Sequence, residues 1–219
     1  MLLEHLPLLR DKRIVLASAS PRRKELLELL GLRFEVKASS FDEDLPHANF
    51  RCAGDYAAET ATHKAIDVAR QTSTSDQRLA DVVIGSDTVV EFQGEILEKP
   101  ADAEDAFRVL SKLSGNTNRV HTGVVIVLPN VPDPKLGTPP FIRSFSETTE
   151  VEFAELSPAL IRAYIQTGEP FGKAGSYGIQ GTAGSFVRGL KGDYFNVMGF
   201  PIHRFSVEMA ALVREGLIK

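Results

Sequence analysis

The stretch Val82-Val83-Ile84-Gly85-Ser86-Asp87-Thr88 decides how the chain is read: an apolar run that ends on a carboxylate. A short continuous apolar run is the pattern of a strand covered on both faces, as in sheets flanked by helices. Residues 89–92 either continue this strand or pair beside it, so Asp87 is expected where a buried strand gives out. Open α/β sheets receive their ligands at the carboxyl ends of such strands.

Working outward, strands and helices alternate. Residues 13–17 (RIVLA) form a second apolar run, followed by Ser20 as a helix N-cap and Pro21 at the first helical position. Leu26, Leu27, Leu29 and Leu30 supply that helix with an apolar face, Gly31 stops it, and residues 34–36 resume as strand. Residues 39–54 show neither period and read as a long loop, a length that is often functional in compact domains. Ala57, Ala61, Ala65 and Val68 keep one face of a helix over residues 56–70 toward a core, with Lys64 beside that face. Beyond the central run, Gln93-Gly94 suits a tight turn, 95–97 a returning strand and 102–113 a helix closed by Gly115. Residues 120–128 and 141–153 read as two long strands joined by a Pro-rich loop over 129–140, an antiparallel arm. Helices are expected over 157–166 and 202–215, with a glycine-rich segment between them.

Composition bounds the function classes. The chain has 219 residues, 43% hydrophobic and 25% charged, enough for one compact α/β domain or two closely joined lobes, read as a single domain over 13–219 preceded by a short N-terminal extension, 1–12. A net charge of -4 argues against a nucleic acid polymer or an anionic membrane as partner, so an anionic ligand must be met by local basic groups. The single cysteine, Cys52, excludes an internal disulfide and a cysteine zinc cluster, and fits a cytoplasmic, reducing location. No apolar run approaches the length of about 20 residues that spans a bilayer, so a soluble protein is expected.

Five clusters could carry chemistry, each with a plainer explanation. Ser18, Ser20, Arg22 and Arg23 stand at a strand-to-helix junction, where free N–H groups and the helix dipole favour an anion. Capping serines followed by solvated arginines look the same. Asp87-Thr88 could bind a divalent ion or take a proton from water, or simply make a turn. Lys99, before Pro100, could address phosphate as a point charge or sit in solvent. Lys64 and Glu43 could be a phosphate ligand and a metal ligand, or surface charges. In the loop from Lys173 to Gly181, glycines permit close backbone approach and the Gln180 amide can both donate and accept, although turns alone use glycine as well.

The order of the motifs resembles one family. LASASPRRKELLELLG, the lysine of ETATHKA, GSDTVV, GEILEKP, LSG followed by VHTGV, GEPFGKAGSYGIQG and GDYFNVMGFP appear as in the Maf proteins, nucleoside triphosphate pyrophosphatases, from about Arg13 to about Arg204. The resemblance implies an α/β fold of the Maf and ITPase type: an elongated mixed β-sheet flanked by helices, with two lobes around a cleft. It also implies a homodimer and a divalent cation, Mg²⁺ or Mn²⁺, held by Asp87 and, through its loop position, Glu43. Within the family, Arg22, Thr88 and Gln180 match the subgroup acting on dTTP and UTP. The expected reaction releases pyrophosphate and a nucleoside monophosphate, as nucleotide-pool house-cleaning that could extend to modified pyrimidines. Asp87 would be the catalytic proton acceptor, and Arg22, Arg23, Lys64, Lys99 and Lys173 would neutralise the triphosphate. Gln180 and Thr88 would supply donors and acceptors to the base.

Two positions depart from the family pattern: Asn118 stands for a histidine and Gly172 for an aspartate, the second removing a carboxylate beside Lys173. Animal relatives fuse this domain to a methyltransferase, and the stop soon after the last helix is read as the lack of a second activity. A non-catalytic nucleotide-binding regulator of cell division and an ITP- or XTP-directed pyrophosphatase are the alternative functions.

Overall fold

A computed structural model describes residues 1–75 and 78–219. Among the described residues seven strands form one mixed sheet in the order β2-β1-β3-β5-β6-β7, with β4 paired to β3 off this path. They are β1 (Ile14–Ala17), β2 (Glu35–Val36), β3 (Val82–Phe92), β4 (Glu95–Leu97), β5 (Thr117–Leu128), β6 (Phe141–Phe153) and β7 (Val187–Lys191). The helices are α1 (Leu6–Leu9), α2 (Pro21–Glu28), α3 (Ala53–Ser75), α4 (Ala103–Leu113), α5 (Pro158–Gln166), α6 (Tyr194–Met198) and α7 (Ile202–Arg214). The α/β alternation read from the sequence is therefore present, with β7 and α6 added inside the glycine-rich segment. Leu29 departs from the expected apolar face of α2: Leu26 and Leu27 are buried, whereas Leu29 is 69% exposed, because the helix is only two turns long and ends there.

Three long strands, β3, β5 and β6, run through two lobes with separate cores. One core gathers Ile14, Leu16, Leu26, Leu27, Phe200, Phe205 and Met209, and takes in Leu2 and Leu9, so residues 1–12 pack onto the lobe. The other gathers Val90, Leu97, Leu110, Leu113, Phe153, Tyr164, Tyr177 and Phe186. On the opposite sheet face, α3 lies directly over the strands. Gly85 and Gly123 permit this: a Cβ on Gly85 would sit 2.3 Å from the Ala61 carbonyl oxygen, and one on Gly123 2.3 Å from Ala57 backbone. A side chain at either glycine would force the helix off the sheet.

The expectation that a strand ends at Asp87 is corrected. β3 continues for five residues past Asp87, because Val89 and Val90 keep burying side chains on alternate faces and β5 stays paired from Val83 to Glu91. What ends is the parallel neighbour. β1 pairs with β3 from Val82 to Gly85, and β4 takes over the same edge in antiparallel sense from Val90. Residues 86–89 lie in the gap between those two partners, just beyond the carboxyl end of β1, the end of a parallel strand at which α/β sheets receive ligands.

Candidate active site

A cleft of about 390 Å³ opens at this gap, between the two cores. Ser18, Ser20, Arg22, Arg23, Glu43, Lys64, Asp87, Thr88, Lys99, Lys173 and Gln180 all line it. Residues far apart in the chain thus meet at one place. Five cationic side chains face two carboxylates there, in a chain whose net charge is -4. The cleft is a local positive well in an acidic protein.

Strand alternation splits the cleft into two chemistries. Asp87 points to the α3 side with Val83 and Val89, whereas Thr88 points to the other face with Ile84 and Val90. Because the edge between β1 and β4 is open, the cleft reaches both faces.

On the α3 side, Lys64 Nζ lies 2.7 Å from Asp87 Oδ1 and 2.8 Å from Glu43 Oε1. Asp87 and Lys64 are both buried, so this ion pair is held out of bulk solvent. Lys99 Nζ approaches the other Glu43 oxygen at 3.6 Å. Burial works against ionisation of Glu43, but the hydrogen bond and charge of Lys64, with Lys99 and Arg23 adding to them, hold its carboxyl below the ordinary value. The loop that carries Glu43 is pinned at both ends. Ser39 Oγ and Ser40 N donate to Asp67 on α3, each at 2.7 Å, and His47 Nε2 meets Glu98 Oε1 at 2.9 Å.

On the other side, Arg23 is fixed by three bonds: Nε to the Gly199 carbonyl at 3.0 Å, Nη1 to Ser18 Oγ at 3.2 Å and Nη2 to Thr88 Oγ1 at 3.0 Å. Burial lowers its pKa from the ordinary arginine value, with Asp87 and Glu43 opposing. Burial likewise lowers those of Arg22 and Lys173. In all three the lowering comes chiefly from burial of the cation. Ser20 occupies the N-cap of α2 without a side-chain capping bond, so the first-turn N–H groups stay open to an anion.

The glycine-rich segment closes the cleft. Gly175 N donates to the Glu98 carbonyl at 3.2 Å, and a Cβ on Gly175 would lie 2.7 Å from Val90, so the loop packs tightly on β3. Lys173 Nζ donates to the Glu169 carbonyl oxygen. The Glu169 carboxylate accepts from Tyr164 Oη at 3.1 Å and Thr182 N at 3.0 Å, clasping the two ends of the loop. Asn118 keeps a hydrogen-bonding role: Tyr177 Oη donates to its Oδ1 at 2.9 Å, and its Nδ2 donates to the Val151 carbonyl at 3.2 Å. Gly172 sits at φ +73°, and among the described residues nothing lies within 4 Å of where its side chain would begin.

Sequence reasoning gave no role to Gly199, Asn196 or Thr122, although two of the quoted motifs contain them. Gly199 holds Arg23 through its carbonyl, and Thr122 and Asn196 lie fully buried beneath Thr88. Their signal was a threonine inside an apolar strand and an asparagine inside a short apolar helix, polar groups that must find buried partners.

The family profile described as Maf-like protein matches residues 13–212. A human protein named "Probable bifunctional dTTP/UTP pyrophosphatase/methyltransferase protein" is 49% identical over 204 residues, covering 93% of this chain and 32% of that protein. The chain thus spans about a third of the human relative's length. The "dTTP/UTP pyrophosphatase" of Clostridium perfringens is 44% identical over 195 residues, covering 88% of this chain and 93% of that one. Among solved structures, the Staphylococcus aureus Ham1 protein matches with 20% identity and a TM-score of 0.39, over 66% of this chain and 73% of that chain.

Proposed function

The chain belongs to the family of Maf-like proteins, and we propose that it hydrolyses dTTP and UTP to the nucleoside monophosphate and pyrophosphate. The observation that carries this reading is the buried Asp87–Lys64 pair, joined by the more exposed Glu43, set among four further cations in one cleft. Asp87 orients and deprotonates a water for attack at the α-phosphorus. Its Oδ1 is engaged by Lys64, and Oδ2 meets no donor among the described residues, which leaves that oxygen to take the proton. Lys64 holds the Asp87 carboxylate in place through their buried ion pair at 2.7 Å. Arg22, Arg23, Lys99, Lys173 and the open N-terminus of α2 offset the charge that accumulates on the departing pyrophosphate.

The donor set fits a divalent cation such as Mg²⁺ or Mn²⁺. Two hard carboxylate groups, Asp87 and Glu43, already converge on one cationic point at 2.7 and 2.8 Å. Among the described residues no group of three or more His, Cys, Asp or Glu forms a complete cage, and Mg²⁺ is commonly held by one or two carboxylates with substrate phosphates supplying the rest. When bound, the ion would withdraw charge from the phosphate oxygens.

Gln180 and Thr88 address the base, and modified pyrimidine triphosphates are included in the substrate class. A homodimer in the cytoplasm accompanies this reading. The dimer is carried over from the motif resemblance alone, and a free, exposed Cys52 is compatible with a reducing compartment. No helix among the described residues is long and apolar enough to cross a membrane. No observation favours a non-catalytic regulator or an ITP-directed enzyme. The test is pyrophosphate release from UTP, dTTP, CTP, GTP and ITP with Mg²⁺ or Mn²⁺, with sedimentation reporting the oligomer. UTP and dTTP should lead the panel; absence of turnover on every member, or preference for ITP, overturns the proposal.

A further inference from the structure

Beneath the cleft, a line of buried hydroxyl groups fixes where the Thr88 hydrogen points. Thr88 on β3 is directly opposite Thr122 on β5, and their hydroxyl oxygens lie 3.0 Å apart. Thr122, fully buried, donates its only hydrogen to the Asn196 carbonyl at 3.0 Å, so toward Thr88 it can only accept. Asn196 is itself locked, its Nδ2 donating to the Val120 carbonyl and to Thr149 Oγ1, each at 3.0 Å. The Thr88 hydrogen is therefore spent on Thr122. The other acceptor within reach, the Gly199 carbonyl at 3.5 Å, would also keep it inside the protein. On its outer side Thr88 already accepts from Arg23 Nη2 at 3.0 Å.

We infer that Thr122 is a specificity-determining positioning residue: it makes Thr88 an acceptor-only contact, matched to the N3–H of uracil or thymine. This rests on the dTTP/UTP reading above and adds to it a polarity. A uracil or thymine edge carries one N–H between two carbonyls, whereas N3 of cytosine carries a lone pair. An acceptor facing that lone pair repels it, and both polar atoms lose their water without gaining a partner. One of the carbonyls flanking N3–H would take a donor from the Gln180 amide, which lines the same cleft. Thr122 touches no substrate and acts only through Thr88.

The experiment compares UTP with CTP on the wild type, Thr122→Val, Thr122→Ser, Thr88→Val and Thr88→Ser. It uses kcat/KM from pyrophosphate release and, separately, calorimetric binding of non-hydrolysable α,β-imido analogues of both nucleotides. Thr122→Val keeps the shape and leaves the Thr88 hydrogen only the Gly199 carbonyl, which at 3.5 Å is beyond ordinary O–H···O length and already accepts from Arg23 Nε, so the hydrogen is free to turn outward. The UTP:CTP ratio should fall about tenfold, the worth of one neutral hydrogen bond made or left unmade, and Thr122→Ser should restore it. A merely structural role would lower both nucleotides together and leave the ratio unchanged, which overturns the inference. If Thr122→Val fails to fold, Thr122→Ala takes its place and must lower the ratio in the same way, while Thr88→Val must flatten it and Thr88→Ser keep it; any other result refutes the inference. Should the wild type release no pyrophosphate, the functional reading fails, while the binding ratios still decide the polarity.

Discussion

On the α3 face of β3, Asp87 is gripped by a lysine that also holds Glu43; one residue along, on the opposite face, Thr88 sits on a line of neutral hydroxyls. The first region is made of full charges whose strength depends on exclusion from water. The second is made of dipoles whose value lies in direction. Charge is suited to driving a reaction on a polyanion, and a directed hydroxyl to telling one base edge from another. Adjacent residues of a strand can serve both tasks because alternation sends them to opposite faces and the sheet edge is open between β1 and β4.

The sharpest way to break the contrast is Asp87→Asn. Turnover of UTP should fall by roughly 10²- to 10⁴-fold, the usual worth of a positioned base, while nucleotide binding by calorimetry changes far less. A variant with near-normal turnover would remove Asp87 from the chemistry. Next in size is Lys64→Met, which leaves the buried Asp87 without its ion-pair partner. Chemical denaturation should show a loss of about 3–5 kcal/mol, as for other broken buried pairs, and a loss below 1 kcal/mol would mean that Asp87 does not depend on Lys64.

Glu43→Gln sharpens the same side through pH. The folded carboxyl is held below its ordinary 4.5, so its contribution to stability is fully present above that value and disappears as pH falls through the lowered one. Melting temperatures of wild type and variant should differ at pH 7 and converge below pH 4.5. A gap that widens in acid would reverse the sign and refute the assignment. The smallest effect belongs to Lys99→Ala. This side chain is 60% exposed, so KM for UTP should rise by no more than about fivefold at low salt. Half-molar salt should erase the difference, since screening acts most on exposed charges.

How much of this was legible beforehand differs between the two sides. The charged residues stood out as types: Asp87 at an apolar run, lysines and arginines at a helix start or beside a proline. Their convergence on one cation was not visible, since Lys64 and Glu43 belong to a helix and a loop whose docking depends on Gly85 and Gly123. The neutral side was hardly legible. Thr122 looked like one more β-branched residue in a strand, and Asn196 lay in a segment where glycines hid a short helix and β7.

The strand and helix order, the family resemblance and the residue types able to meet phosphate were determined by the sequence by itself, because apolar periodicity and short motifs are local properties of a chain. Only the tertiary structure decided that β3 passes through Asp87 rather than stopping there, that two lobes leave its edge open, and that one lysine bridges two carboxylates. It also decided which way the Thr88 hydroxyl is turned. Hydrogen-bond direction and buried charge pairing arise between segments distant in sequence, so they exist only once the chain has packed.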